Sequence, residues 1–310
     1  MSISIIIPNY NGEKLLNKNL PSVINALKNY QGQKEIIIVD DGSEDGSKNV
    51  VRNFINNKTV EIKLLENEIN LGFSSTVNKG VRNAKGEVVI LLNTDVAPQI
   101  DFIEPLLSHF SDQKIFAVGC LDKSIENGKV IERGRGLGEW KRGFLVHRRG
   151  EVNKKNTLWV SGGSGAFRKT IWEVLGGLNE LYNPFYYEDI DLSYRALKSG
   201  YKVVFEPKSV VTHRHEEGAI KSKYSVKKVK SIAYRNQFIF VWENATDWKL
   251  QFSHFLWLPY HLIKALLRLD KEFFLGFFSA LISFPKVIKS SLKAQRLFVK
   301  RDEEIIKEIQ

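Results

Sequence analysis

Three short stretches gather acids and amides at spacings that chemistry could use: Asp40-Asp41-Gly42-Ser43, Asn93-Thr94-Asp95 and Glu188-Asp189-Ile190-Asp191. A carboxylate accepts the imide N–H of a uracil or thymine, or bridges ribose hydroxyls. It is also a hard oxygen ligand for a divalent cation such as Mg2+ or Mn2+, and with a metal present a diphosphate becomes bindable. Each stretch has a plainer reading as well. Asp40 and Asp41 suit a turn and helix cap, Asp95 a turn or N-cap aspartate ahead of Pro98, and three acids at residues 188–191 a helix start favoured by its dipole.

The elements around these residues narrow the choice. Residues 88–92 are an unbroken apolar run, the signature of a strand buried on both faces, and Asn93, Thr94 and Asp95 stand at its C-terminal edge. Ligands of open α/β sheets bind outside such edges. Residues 3–7, 35–39, 60–65 and 115–121 read as further strands, with helices over 13–29, 48–56 and 74–84 between the first of them. Strand–helix alternation predicts an α/β fold with a doubly wound, mostly parallel sheet. Asp40 and Asp41 again end a strand. The first strand is followed by Pro8-Asn9-Tyr10-Asn11-Gly12, which is neither Gly-x-Gly-x-x-Gly nor a P-loop, so dinucleotide and P-loop chemistry find no support. Residues 160–167, with Gly163 and Ser164, are read as a crossing from strand to helix through small residues that allow close ligand approach. Residues 122–156 are read as a hairpin or a lid over the site. Their Arg133, Arg135, Arg142, Arg148 and Arg149 suit a diphosphate, an anionic acceptor or an ordinary basic surface. A helix over 188–199 follows, in which Arg195 can pair with Asp191 or approach phosphate. Strand-like segments at 202–205 and 210–212 then lead to His213 and His215.

Five motifs in order carry a resemblance: Ile5-Ile6-Ile7-Pro8-Asn9-Tyr10-Asn11, Val39-Asp40-Asp41-Gly42-Ser43, Asn70-Leu71-Gly72-Phe73, Leu92-Asn93-Thr94-Asp95 and Tyr187-Glu188-Asp189-Ile190-Asp191-Leu192. Over about the first two thirds of its length the chain resembles the inverting family 2 glycosyltransferases of GT-A fold, in particular the rhamnosyl- and galactofuranosyl-transferase branch. The resemblance implies that Pro8 and Asp41 flank a nucleotide base and that Asn9, Asn70 and Gly72 belong to the same donor site. It implies that Asn93 and Asp95 stand for an Asp-x-Asp element meeting ribose and metal. Asn93 departs from the more usual Asp, which leaves the donor sugar open. Inverting transfer needs a base for the acceptor hydroxyl, a role the resemblance gives to Asp189, with Glu188 and Asp191 orienting acceptor and helix. His213 follows Asp189 by 24 residues. That spacing looks like the pattern in which a histidine joins Asp95 in the metal shell; His215 is the weaker choice.

The bulk numbers fit such an enzyme. The chain has 310 residues and a net charge of +11, which calls for a polyanionic partner, and its lone Cys120 excludes an internal disulfide or cysteine metal cage. The first residues lack the basic region of a signal peptide, so a cytoplasmic location is expected. We expect a nucleotide-sugar-binding catalytic domain at 1–217 and a basic, aromatic helical region at 218–310. The latter holds 17 Lys/Arg against 8 Asp/Glu, +9 of the total. Its apolar runs at 252–267 and 273–284 fall short of the ~20 residues of a spanning helix. They suit helices peripheral to an anionic membrane surface, a helical core, or a homodimer interface. The expected donor is a nucleotide diphosphate sugar, UDP- or dTDP-linked, and the acceptor a glycan or a lipid-linked one in cell-envelope polysaccharide synthesis. A nucleotidyltransferase would want a Gly-rich, Lys-containing loop after the first strand. A nucleic-acid-binding protein would carry its charge on a recognisable module rather than beside bulky apolar runs.

Overall fold

The computed structural model describes residues 1–56, 59–126, 128–213 and 223–310. It begins with β1 (Ile3–Asn9), α1 (Glu13–Lys28), β2 (Lys34–Asp41), α2 (Ser47–Ile55), β3 (Glu61–Asn67), α3 (Phe73–Asn83) and β4 (Val88–Leu92). β1 lies parallel to both β2 and β4, and β2 parallel to β3. Successive side chains of a strand face opposite ways, and here both faces are apolar. Ile5, Ile7, Ile36 and Ile38 pack with Leu16 and Leu20 of α1, whereas Ile6, Ile37 and Val39 pack with Val77 and Val81 of α3. The sheet is thus covered on both sides, as its continuous β-branched runs demand.

The second half of the sheet is less regular. β5 (Val96–Pro98), α4 (Ile103–Leu107), β6 (Ile115–Glu126), β7 (Lys129–Arg133), β8 (Gly136–Lys141), β9 (Phe144–Arg149), β10 (Ser164–Arg168), α5 (Lys169–Leu175), α6 (Glu188–Lys198) and β11 (Lys202–His213) follow. The strand order is β3-β2-β1-β4-β10-β6-β11-β5, with β7 on β6. β10 runs antiparallel between β4 and β6, and β5 antiparallel to β11, so the sheet is parallel-dominated and mixed. The small residues before 167 therefore do not lead from strand to helix. They make a turn at 161–163 that sends the chain back up the sheet as β10. The two segments read on either side of Pro207 are one strand, β11, with a register shift between Glu206 and Val210 that accommodates the proline.

The arginine-rich segment 122–156 forms hairpins, but they do not cover the sheet edge. β8 and β9 pair as a separate ribbon whose Leu137, Phe144 and Leu145 are buried. Phe144 meets Phe238 and His254 edge-on at 5.1 and 4.9 Å, which wedges the ribbon against the C-terminal helices. Arg135 is spent internally, on the carbonyl and side chain of Asn156, and Arg142 stacks on Trp257 and Tyr260.

Four helices end the chain: α7 (Val226–Asn244), α8 (Trp248–Leu267), α9 (Lys271–Gln295) and α10 (Asp302–Ile309). The expected boundary at 217/218 and His215 lie outside the described residues. Beyond them, α7 and α10 join the core under the sheet: Phe238, Ile239, Phe240, Ile305 and Ile309 are buried in one cluster with Leu91, Phe167 and Leu192. α8 and α9 instead leave long apolar stripes exposed. α9 continues through Pro285 as one helix of 25 residues, long and apolar enough by length and composition to cross a membrane, unlike the shorter run expected.

Candidate active site

The C-terminal edges of β1, β2 and β4 open into a cavity of about 380 Å³. Its wall contains Pro8, Asn9, Asp41, Asn70 and Gly72 on one stretch, Asn93, Asp95 and His213 on another, and Gly163, Glu188 and Asp189 on a third. Local hydrogen bonds fix each group. Asp41 accepts from the side chain of Asn67 and from the N–H groups of Leu71 and Gly72, at 2.8 to 3.0 Å, which pins the 70–72 turn to the end of β2. Gly72 has φ of 91°, and a Cβ there would meet Asn183 at 2.9 Å, so the turn needs glycine for both conformation and space. The Asn93–Asp95 turn is held by Asn19 of α1, which donates to the carbonyl of Thr94 at 2.7 Å.

Asp95 and His213 stand side by side. His213 Nε2 lies 3.2 Å from Asp95 Oδ1, and Nδ1 lies 2.8 Å from Asp122 Oδ2. Burial alone would push the imidazole down, but the hydrogen bonds and charges of the two carboxylates overcome it and raise it to about 9. Nδ1–H is directed at Asp122 and Nε2 at Asp95, the carboxylate–histidine arrangement typical of metal ligands, in which a bound cation would displace the proton that Nε2 shares with Asp95. Among the described residues no three side chains are arranged to hold one metal ion, so a cation on Asp95 and His213 would need further oxygens from substrate or water. The donor set fits a divalent metal. Asp122, which sequence reading missed, comes from β6, and only the parallel pairing of β6 with β11 brings it there.

Glu188 and Asp189 begin α6, immediately after Tyr186 and Tyr187, both in left-handed backbone with φ of 73° and 75°. Two adjacent bulky residues in that region store strain. Asn236 of α7 holds it in place, its side-chain N–H groups donating to the carbonyls of Tyr182, Phe185 and Tyr186 at 2.8 to 3.1 Å. Asp189 accepts from the N–H of Gly162 at 3.2 Å and of Ile190 at 2.8 Å. Burial raises its carboxyl, and those donors pull it partly back. Glu188 Oε2 is buried without a hydrogen-bond partner, and burial followed by the charge of Asp189 pushes this carboxyl well above its ordinary value. The N–H donors on Asp189 and their absence at Glu188 Oε2 favour the anion on Asp189. The 161–163 turn ties the acids together. Gly163 accepts from Asn93 N–H at 3.0 Å, Gly162 donates to Asp189, and a Cβ on Gly163 would meet the Asn93 amide at 2.6 Å.

Four expected ligand contacts are displaced by the packing. Asp40 is buried behind Asn9 and Ser43, accepting from the Asn9 side chain at 2.8 Å and Ser43 N–H at 2.9 Å, so it braces β1 instead of facing the cavity. Ser164 is buried on β10. Asp191 is fully buried, receiving Arg195 Nε and the Asn244 side chain at 2.8 Å each, because α6 turns it away from Asp189 into the core. Arg195 spends its remaining donors on the carbonyls of Leu175 and Gly177, so it reaches no phosphate. None of the described hairpin residues between 123 and 156 lines the cavity. Its rim comes in part from Tyr10, Phe185, Lys223 and Tyr224; Lys223 sits 3.9 Å above the Tyr10 ring, and Tyr224 stacks edge-on against Phe185. Tyr10 lies inside the first motif, whereas nothing in the local sequence marks Lys223 or Tyr224.

A parallel-dominated sheet carrying acids and a histidine at its strand ends is the GT-A type of α/β fold. It superposes on the structure of GalNAc-T7 with UDP, GalNAc and Mn2+ with a TM-score of 0.64 at 22% identity, covering 80% of this chain and 49% of that one. Residues 4–175 match the family model described as Glycosyl transferase family 2, and the chain belongs to that family. The dolichyl-phosphate beta-glucosyltransferase ALG5A of Trichomonas vaginalis is 37% identical over 109 residues, 34% of this chain and 33% of that protein. The O-antigen chain rhamnosyltransferase RfbN of Salmonella typhimurium is 26% identical over 220 residues, 69% of this chain and 67% of that protein. The match thus spans about a third of the first relative and two thirds of the second.

Proposed function

We propose that the chain transfers a sugar, with inversion, from a nucleotide diphosphate sugar to an acceptor hydroxyl on a glycan or lipid-linked glycan. The observation that carries this reading is the shared cavity. Asp189 lines the same space as Asp95 and His213, joined to the Asn93 turn through Gly162 and Gly163. Asp189 takes the proton of the acceptor hydroxyl as its oxygen attacks the anomeric carbon, and the bond from that carbon to the diphosphate breaks on the opposite face. Glu188, whose carboxyl burial pushes up, can offer an O–H to a sugar hydroxyl. Asp41 and Asn9, near Pro8, stand where a uracil or thymine base and its ribose can be recognised, which favours a UDP- or dTDP-sugar. Asp95 and His213 would hold a divalent metal, Mg2+ or Mn2+, whose charge would offset that of the departing diphosphate. The relatives support the reading by name: one acts on dolichyl phosphate, one on an O-antigen chain, and the GalNAc-T7 structure contains UDP and Mn2+. Family membership favours it over nucleotidyl transfer or nucleic-acid binding.

A thermal-shift screen of UDP-, dTDP- and GDP-sugars, with and without Mg2+ or Mn2+, tests the donor side. A metal-dependent rise in melting temperature with a UDP- or dTDP-sugar is expected. No rise with any nucleotide sugar would overturn the assignment.

A further inference from the structure

α8 and α9 form a hairpin whose outer side is apolar and, among the described residues, unpartnered. On α8, Trp248, Phe252, Phe255, Ile263, Leu266 and Leu267 recur at helical spacing and are 55 to 79% exposed. On α9 the stripe continues through Leu275, Phe278, Ile282, Ile288 and Leu292, with Ile282 83% exposed. A patch of this extent on a folded protein marks an interaction surface. Its charge identifies the partner. Residues 248–296 contain eight Lys/Arg and only two acids, Asp270 and Glu272, and Asp270 is already bound to Lys230 at 2.9 Å. Lys249, Arg268, Lys271, Lys286, Lys289 and Lys293 are exposed. Exposed aromatic and aliphatic side chains accompanied by exposed cations on the same two helices complement the acyl and headgroup layers of an anionic bilayer.

We infer that the outer face of the α8–α9 hairpin docks the protein on an anionic membrane surface. The hairpin lies on the bilayer and does not cross it, because the inner side of α9 is bonded to the catalytic core along its length. Gly276 packs against the backbone of Ser231 and Arg235, Ser290 Oγ bonds Asn179 at 3.0 Å, and Ser291 Oγ donates to the carbonyl of Glu243 at 2.7 Å. The hairpin turn is also near the cavity. Asp270 bonds Lys230 and Tyr234 of α7, and Lys230 lies four residues into that helix, about 6 Å along its axis. Tyr224, at the cavity rim, just precedes the same helix. On the sugar-transfer reading above, docking would bring that rim to the headgroup layer, where an acceptor anchored in the same membrane is presented.

The test is flotation of the full-length chain with phosphatidylcholine vesicles, with and without phosphatidylglycerol. Co-flotation is expected with the anionic vesicles at low ionic strength and should weaken as salt screens the attraction. The triple variant Phe255→Gln, Phe278→Gln, Ile282→Gln alters only exposed side chains and should lower bound protein about tenfold or more. Lys286→Gln, Lys289→Gln, Lys293→Gln should lower it about tenfold to hundredfold on anionic vesicles alone. Thermal shift by a nucleotide sugar should be unchanged in both variants, so loss of docking and failure of the donor assignment are read separately. A chain that stays in the soluble fraction with anionic vesicles overturns the inference. So does a dimer in sedimentation analysis that the Phe255, Phe278 and Ile282 substitutions dissociate, since a second copy would then cover the face.

Discussion

Adjacent buried carboxyls with unequal hydrogen bonding divide the work at the cavity. Asp189 receives two N–H donors that stabilise its anion, and Glu188 Oε2 receives none. Asp189→Asn keeps the shape while removing the proposed base, so transfer should fall about 10²- to 10⁴-fold with the nucleotide-sugar thermal shift retained. Transfer at near wild-type rate would assign the base to another acid. The proposed metal ligands separate from it experimentally. Asp95→Ala and His213→Ala should each weaken metal-dependent donor binding about 10- to 100-fold, read by titration calorimetry with Mn2+. Unchanged affinity in both would remove the metal from these residues. At this scale the sequence was informative where a residue ends a strand and less so within a helix. Asp41, Asn93 and Asp95 follow apolar runs whose direction alone puts them at the sheet edge. Along α6 only the facing of each turn decides, and it sends Asp191 and Arg195 inward, away from Asp189.

Elements distant in sequence set the geometry of the acids. The strained Tyr186-Tyr187 step has no local cause to persist, and it is the amide of Asn236, on α7, that ties three carbonyls of that loop. Asn236→Ala would leave those carbonyls short of donors in a buried site. We expect a loss of about 1–3 kcal/mol in denaturant unfolding, together with a fall in kcat larger than any change in donor affinity. Equal loss of both would mean that α7 supports the whole cavity and not the acid loop in particular. The first four strands and three helices could be read from period and turn chemistry, because each is a local βα unit. β10 could not, since five residues of ordinary composition become an antiparallel strand only when β4 and β6 flank them. Likewise the hairpin residues looked like a basic cover, and only the burial of Phe144 against Phe238 reveals their packing role.

At the scale of the whole molecule, the C-terminal helices are bound to the catalytic half by buried polar links as well as apolar packing. Glu243 of α7 accepts from Asn179 at 2.6 Å and from Tyr182 at 3.1 Å, and burial followed by the charge of Asp191 raises its carboxyl to about 8. A carboxyl raised on folding favours the native state when protonated. That contribution is full below its ordinary value and declines as pH rises toward 8. Glu243→Gln should therefore gain stability relative to wild type between about pH 5 and 8, by at most a few kcal/mol. A difference in melting temperature that does not change with pH would refute this. The second link closes the chain end onto α6. Asp302, at the start of α10, accepts from Lys198 at 2.9 Å and Tyr194 at 2.7 Å through Oδ1, and from the N–H groups of Thr246 and Asp247 through Oδ2. Lys198 and Asp302 have fully buried side chains, so removing the acid leaves an ammonium in the core with neutral partners only. Asp302→Ala should cost about 3–5 kcal/mol, whereas a substitution on the exposed face of α8 should stay within about 0.5 kcal/mol. The same reasoning sets the fate of a chain cut after Asn244. It would lose Ser290 and Ser291 beside Glu243, Asp302 beside Lys198, and the buried Ile305 and Ile309. We expect such a chain to lack a cooperative melt and to give no nucleotide-sugar thermal shift. A sharp transition with donor stabilisation intact would show that the helices after α7 are not needed to hold the donor site.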